Sequence, residues 1–262
     1  MKKLRLALIG AGFLNEIIAK AVKEGLLPEY ELVAVLDRHP ERRDAFAATF
    51  GGKACATIEQ LLDQRPDYTA EAASVDAVRT YAQAVLEGGS HLLLLSIGAL
   101  ADAAFYEKIK TVGRENNRKT YLPCGAVGGF DVLRTASLMD KASVSITALT
   151  SPWSISHTAL TFDGIMDVTE PTEVFRGTTK EAIERLPTHV NVAIATALSS
   201  VGPENTNIDI HILPGFRGDE YHVKLDSPEV KTEMKLYSRT PTVAGWSVVA
   251  ALQNIVSPID FF

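Results

Sequence analysis

The sequence predicts an α/β protein, a doubly wound parallel sheet followed by a second, smaller α+β domain. Three observations carry that expectation. Short apolar runs alternate with helix-spaced segments through residue 116, a glycine turn closes the first of those runs, and strand-like segments dominate after Ser143.

Residues 4 to 9 form a compact apolar run ending in Gly10-Ala11-Gly12, after which Ile17, Ile18, Ala21 and Val22 recur at helical spacing. Strand, tight turn and helix therefore follow in order. Residues 31 to 37 make a buried-strand pattern that closes on the carboxylate of Asp37, and 40 to 50 continue as a helix. Two further pairs follow, a strand over 68 to 73 with a helix over 75 to 87, and a strand over 91 to 96 with a helix over 102 to 116. Strands joined by helices pair in parallel, with right-handed crossovers.

After Pro123 the texture changes, as Gly125, Gly128 and Gly129 crowd the entrance to a helix expected over 130 to 140. The domain junction is placed here: 1–125 as a dinucleotide-binding domain, 126–241 as an α+β substrate and dimerisation domain, and 242–262 as a C-terminal helix returning to the first. Strands are expected over 144 to 149, 208 to 213, 221 to 225 and 233 to 237, with helices over 190 to 200 and 246 to 256.

The 262 residues, 46% hydrophobic and 22% charged, suffice for two cores and contain no low-complexity tract. A net charge of -6 without a basic run argues against a nucleic-acid partner. Cys55 and Cys124 lack metal-ligand spacing and make no disulfide framework, so a cytoplasmic location is expected. The N-terminal apolar run is too short for a leader and breaks into the glycine turn, and no apolar segment approaches the roughly 20 residues that span a bilayer. No membrane partner is expected. Residues spaced for a metal site and the G-x-S-x-G elbow of a serine hydrolase are both missing.

The string GAGFLN begins where a strand ends and a helix opens, so the amides around Gly10, Gly12, Phe13 and Leu14 can face a pyrophosphate. Asn15 occupies the position where a third small residue is usual in this fingerprint. Asp37, closing the second strand, stands where a carboxylate accepts hydrogen bonds from ribose hydroxyls, and Arg38 beside it suits a 2′-phosphate. Together these predict a Rossmann-type fold that binds NAD or NADP.

Longer strings extend the pattern. Glu71-Ala72-Ala73-Ser74, Leu95-Ser96-Ile97-Gly98-Ala99-Leu100-Ala101-Asp102, Cys124-Gly125-Ala126-Val127-Gly128-Gly129-Phe130-Asp131 and Leu186-Pro187-Thr188-His189-Val190-Asn191-Val192-Ala193 occur in that order. In sequence and order they resemble the L-aspartate dehydrogenase family. The resemblance implies reversible oxidative deamination of L-aspartate, with hydride passing to the nicotinamide. It implies cofactor contacts at Ala73, Ser74, Ala126 and Asn191, substrate contacts at Ser96, Gly98, Ala99, His189 and Ser247, and His222 as the active-site residue. An imidazole suits the task because its ordinary pKa lies near neutrality. Tyr221 and Val223 are expected on the strand face opposite His222. A homo-oligomer is also implied.

Where the resemblance predicts basic and hydroxyl groups for the substrate carboxylates, this chain has Thr150-Ser151-Pro152-Trp153 and Ala244-Gly245-Trp246-Ser247. Arg176, Lys224, Lys235 and Arg239 are candidate replacements. Another amino acid or an imine as substrate, a sugar-type oxidoreductase, and a non-enzymatic redox-sensing module remain as alternatives.

Overall fold

The computed structural model describes residues 2–187 and 190–260. They divide into two compact units, one running to Gly125 and including the C-terminal stretch from Thr242, the other Ala126–Pro241.

The first unit contains β1 (Leu4–Ile9), α1 (Phe13–Lys23), β2 (Tyr30–Leu36), α2 (Pro40–Phe50), β3 (Lys53–Cys55), α3 (Ile58–Leu62), β4 (Tyr68–Glu71), α4 (Val75–Glu87), β5 (His91–Leu94), α5 (Ala103–Glu115) and β6 (Thr120–Tyr121). The sheet order is β3-β2-β1-β4-β5-β6 and every pair is parallel. This is the order of a Rossmann fold, in which the chain reverses its direction of winding between β1 and β4 and opens a crevice at their C-terminal ends. Leu6, Ala7 and Leu8 of β1 are fully buried because the strand is central and covered on both faces, which is why its sequence is a continuous apolar run without alternation.

In the second unit lie α6 (Phe130–Met139), β7 (Ser143–Thr150), α7 (Pro152–Ser156), β8 (Thr172–Thr178), α8 (Thr179–Arg185), α9 (Asn191–Leu198), β9 (Thr206–Ile212), β10 (Asp219–Asp226) and β11 (Lys231–Ser238). Their sheet runs β11-β10-β7-β9-β8, with β7 and β9 parallel and the other pairs antiparallel. Its two faces differ. Ile146, Ile208, Ile210, Val223 and Leu225 are buried on the inner face, and Leu133, Ala182 and Ile194 of the helices are buried as well. Thr147, Asp209, His211, His222 and Lys224 alternate with them onto an outer face that stays partly or fully accessible.

The last helix, α10 (Thr242–Val256), belongs to the first unit and packs on α1. Gly245 allows that approach, since a Cβ there would lie 2.9 Å from Ile17 Cδ1 and 3.1 Å from the Leu14 carbonyl. A mid-helix glycine costs about 1 kcal/mol relative to alanine, and close helix packing offsets it. The buried Tyr30 hydroxyl donates to the Leu252 carbonyl at 2.8 Å and fixes the far end of α10 to β2.

The strand expected over 91 to 96 stops at Leu94, and a short 3-10 turn follows over Ile97–Ala101. Helix α10 starts four residues before the expected 246, at Thr242. Elements β3, α3, β6, α7, β8 and α8 have no counterpart in the sequence-based expectations. Four of them are of only two to five residues, too short for a hydrophobic period to develop. Helix α8 did carry a signal, because Thr178 and Glu181 form a reciprocal capping box at its start.

Candidate active site

The ends of β1 and β2 are level in the sheet, with Ile9 opposite Leu36, so the glycine turn and Asp37 emerge side by side. Gly10 has φ +102, and a Cβ there would lie 3.0 Å from both the Ala72 carbonyl and Ala73 Cβ. Only glycine fits that position without strain. Gly12 caps α1 without a side-chain hydrogen bond, which leaves the first amides of the helix pointing outward past exposed Phe13 and half-buried Leu14. Helix-end amides of this kind suit an anion.

Asp37 holds the turn in place. Its Oδ2 accepts from the Ala11 amide at 2.8 Å and its Oδ1 from the His39 amide at 2.8 Å. Burial raises its pKa, but the hydrogen bonds from His39 and Ala11 together with the charge of Arg42 outweigh that and hold it below the usual carboxylate range. Asp37 is therefore ionised and keeps lone pairs for ribose hydroxyls. Arg38 is exposed. Sequence reasoning missed Arg42, whose guanidinium lies 3.5 Å from the Ala11 carbonyl and beside Gly12. Its place in the first turn of α2, directly after the end of β2, was the signal for it.

Asn15 replaces the small residue of the fingerprint by making bonds a small residue cannot. It is fully buried, and its Nδ2 donates to the carbonyls of Ile9 at 2.9 Å and Gly10 at 2.7 Å. Its Oδ1 is buried without a partner. The missing Cβ of Gly10 provides the space that the amide fills.

At the next two strand ends a buried carboxylate orders the backbone. Glu71 Oε1 accepts from the amides of Ala73 at 2.8 Å and Ser74 at 2.9 Å and from Ser96 Oγ at 2.9 Å, while Oε2 accepts from the Ser96 amide at 3.1 Å. Burial lifts its pKa and these four donors pull it back, with burial prevailing. Ser74 also caps α4, accepting from the Ala77 amide at 3.1 Å. Gly98 and Ala99 are buried in the turn after Ser96. Ser247 donates to the Ala244 carbonyl at 2.7 Å and accepts from the Gly125 amide at 3.1 Å, so it ties α10 to the loop at Gly125. Cys124 is exposed on the same loop.

In the second unit, Ala126 is half-buried and Asn191 is the first residue of α9. His189 lies outside the described residues. His222 stands on the outer face of the sheet, with Nε2 2.8 Å from Glu220 Oε1. Lys235 Nζ reaches the same oxygen at 3.0 Å. Arg176 pairs with Glu173, and Lys224 with Glu233 at 3.0 Å. Trp153, just after β7, is 67% exposed. Among the described residues no cluster of metal ligands occurs, and no helix is long and apolar enough to cross a membrane.

The chemistry of the first unit fits a dinucleotide. Its donors are backbone amides at a helix start, its acceptor is an ionised carboxylate one strand away, and the turn between them is closed to any side chain at Gly10.

Comparison with known proteins gives the same assignment. Residues 8–123 match the homoserine dehydrogenase NAD-binding domain model and residues 131–255 match the aspartate dehydrogenase C-terminal model. The L-aspartate dehydrogenase of Methanospirillum hungatei is 32% identical, covering 97% of this chain and 98% of its own. That of Methanocella arvoryzae is 30% identical over 97% and 98%. The solved aspartate dehydrogenase of Thermotoga maritima shares the fold, with a TM-score of 0.79, 24% identity and 99% of each chain covered. A nucleotide turn of this geometry and relatives matched along the whole length lead to one conclusion: the chain belongs to the L-aspartate dehydrogenase family and is an NAD(P)-dependent oxidoreductase.

Proposed function

We propose that this chain catalyses the reversible oxidative deamination of L-aspartate to iminoaspartate, which is then released or hydrolysed to oxaloacetate. The carrying observation is the pairing of the Gly10 turn with the ionised Asp37 in a chain whose full-length relatives are L-aspartate dehydrogenases. The amides of Gly12, Phe13 and Leu14 receive the pyrophosphate, Asp37 the ribose, and Arg38 the adenine edge or a 2′-phosphate. Ala73 and Ser74, set by Glu71, together with Ala126 and Asn191, are the remaining cofactor contacts. When bound, the nicotinamide supplies or accepts hydride at the carbon bearing nitrogen. The chain's own residues must hold the substrate and manage the proton at that nitrogen. Ser96, Gly98, Ala99, His189 and Ser247 are assigned to the substrate. The resemblance puts forward His222 for the proton.

Residues 1–125 are assigned to the nucleotide, 126–241 to the substrate and to self-association, and 242–262 to support of the first unit. A cytoplasmic homo-oligomer is part of this reading, supported by the two free cysteines and by the open outer face of the second sheet. A second reading has one specific observation in its favour. A dicarboxylate requires cations or several donors, yet the segment after β7 is Thr150-Ser151-Pro152-Trp153 with an exposed indole, which favours an amino acid with an apolar side chain or a preformed imine.

The test is oxidation of NADH or NADPH by the purified protein with ammonia and a panel of 2-oxo acids. Turnover with oxaloacetate supports aspartate. Turnover only with apolar oxo acids or preformed imines transfers the assignment to the second reading, and no turnover with any of them overturns both.

A further inference from the structure

The segment that follows β2 carries a cluster of basic side chains to the edge of the glycine turn. Arg38, His39, Arg42 and Arg43 all lie between Asp37 and the second turn of α2. Two of them are already engaged. The Nε of Arg43 donates to Asp44 Oδ1 at 2.9 Å, and the His39 ring reaches back to Asp37, with Nδ1 3.1 Å from Oδ1. Arg38 and Arg42 form no ion pair among the described residues.

Arg42 stands where the turn meets the carboxylate assigned to the ribose. Its guanidinium lies 3.5 Å from the Ala11 carbonyl, and a Cβ on Gly12 would be 3.4 Å from its Nη2. The amide of that same Ala11 donates to Asp37 Oδ2 at 2.8 Å. One contact at the limit of hydrogen-bond length leaves most of the planar fork of donors open. A phosphate next to the ribose would meet two opposing charges. Ionised Asp37 repels it, but three protein donors, the amides of Ala11 and His39 and the His39 ring, converge on that carboxylate and disperse its charge. Arg42 attracts it, with a fork that matches phosphate oxygens through paired N–H bonds.

We propose that Arg42 is a specificity-determining residue, its guanidinium pairing with the 2′-phosphate of NADP(H), so that this chain accepts NADP(H) as well as NAD(H) in the presence of Asp37. This rests on the nucleotide-binding reading above. NAD(H) carries a neutral hydroxyl at the same position and gains much less from the cation. The adenine edge is then left to Arg38, whose guanidinium plane suits stacking on the base.

The experiment titrates the intact chain calorimetrically with NADPH and with NADH, as wild type and as Arg42→Gln. Arg42 is exposed, and glutamine keeps the helix propensity of the position. The expected result is a loss of about 10- to 100-fold in NADPH affinity, the range for hydrogen bonds to a charged group. NADH affinity should stay within about 3-fold of wild type, well under the effect of losing such bonds. Added salt should weaken wild-type NADPH binding more than NADH binding, and Arg42→Gln should narrow that difference, because an exposed charge pair is screened. Equal loss for both nucleotides transfers Arg42 to the pyrophosphate they share and overturns the assignment, as does unchanged NADPH affinity. A wild type that takes up NADH but not NADPH overturns it too, while leaving the nucleotide-binding reading intact. A wild type that takes up neither overturns that reading and this assignment with it.

Discussion

The parallel sheet of the first unit is buried on both faces, and its candidate binding groups lie beyond strand ends, at Gly10 after β1, Asp37 after β2, Ala73 and Ser74 after β4 and Ser96 after β5. The mixed sheet of the second unit leaves one face open, and its candidate His222 lies within a strand, where neighbours such as Tyr221 and His222 point in opposite directions. In the first arrangement chain order alone locates a group. In the second, a displacement of one residue along the strand moves a group from the core side to the outer side. The same contrast separates buried, multiply bonded polar groups from exposed ion pairs.

The largest effect should come from the turn. Gly10→Val places a branched Cβ at φ +102 against the Ala72 carbonyl, a strain on the order of 1–3 kcal/mol that translates to about 10- to 100-fold weaker nucleotide binding. A fluorescence titration with NADH and NADPH checks this, and unchanged affinity would break the link between turn geometry and cofactor. Next comes Glu71→Gln, which turns an amide towards at least one of four donors now facing a carboxylate. The expected loss is about 1–3 kcal/mol, seen as a fall of several degrees in Tm. An unaltered melt would show that these strand ends are ordered by something other than Glu71. The smallest effect is expected in the second unit, where Lys224 and Glu233 form a pair with side chains 57% and 74% exposed. Lys224→Ala should shift stability by less than about 1 kcal/mol, and a larger change in denaturant midpoint would mean that the outer face is covered in solution.

Much of the first unit was legible because a central parallel strand is an uninterrupted apolar run and each crossover helix carries its own period. The glycine turn and Asp37 could be placed by order, since a parallel βαβ unit brings consecutive strand ends to one edge. Asn15 was legible as a departure but not as a solution, because only the folded turn shows its amide reaching the Ile9 and Gly10 carbonyls. Glu71 stood within a quoted string but was assigned no part. Its bond to Ser96 spans 25 residues, and no local pattern reveals such a contact. In the second unit, alternation placed Tyr221 and His222 on opposite faces from sequence alone. Which face held the core depended on strand pairing with β7 and on the packing of Gly129 against Met234, both long-range facts.

The most direct test of the account is calorimetric titration of the intact, folded chain with NADH and with NADPH. The account predicts saturable uptake of at least one of them, weakened about 10- to 100-fold in Gly10→Val. Well-folded wild-type protein that takes up neither nucleotide would contradict it.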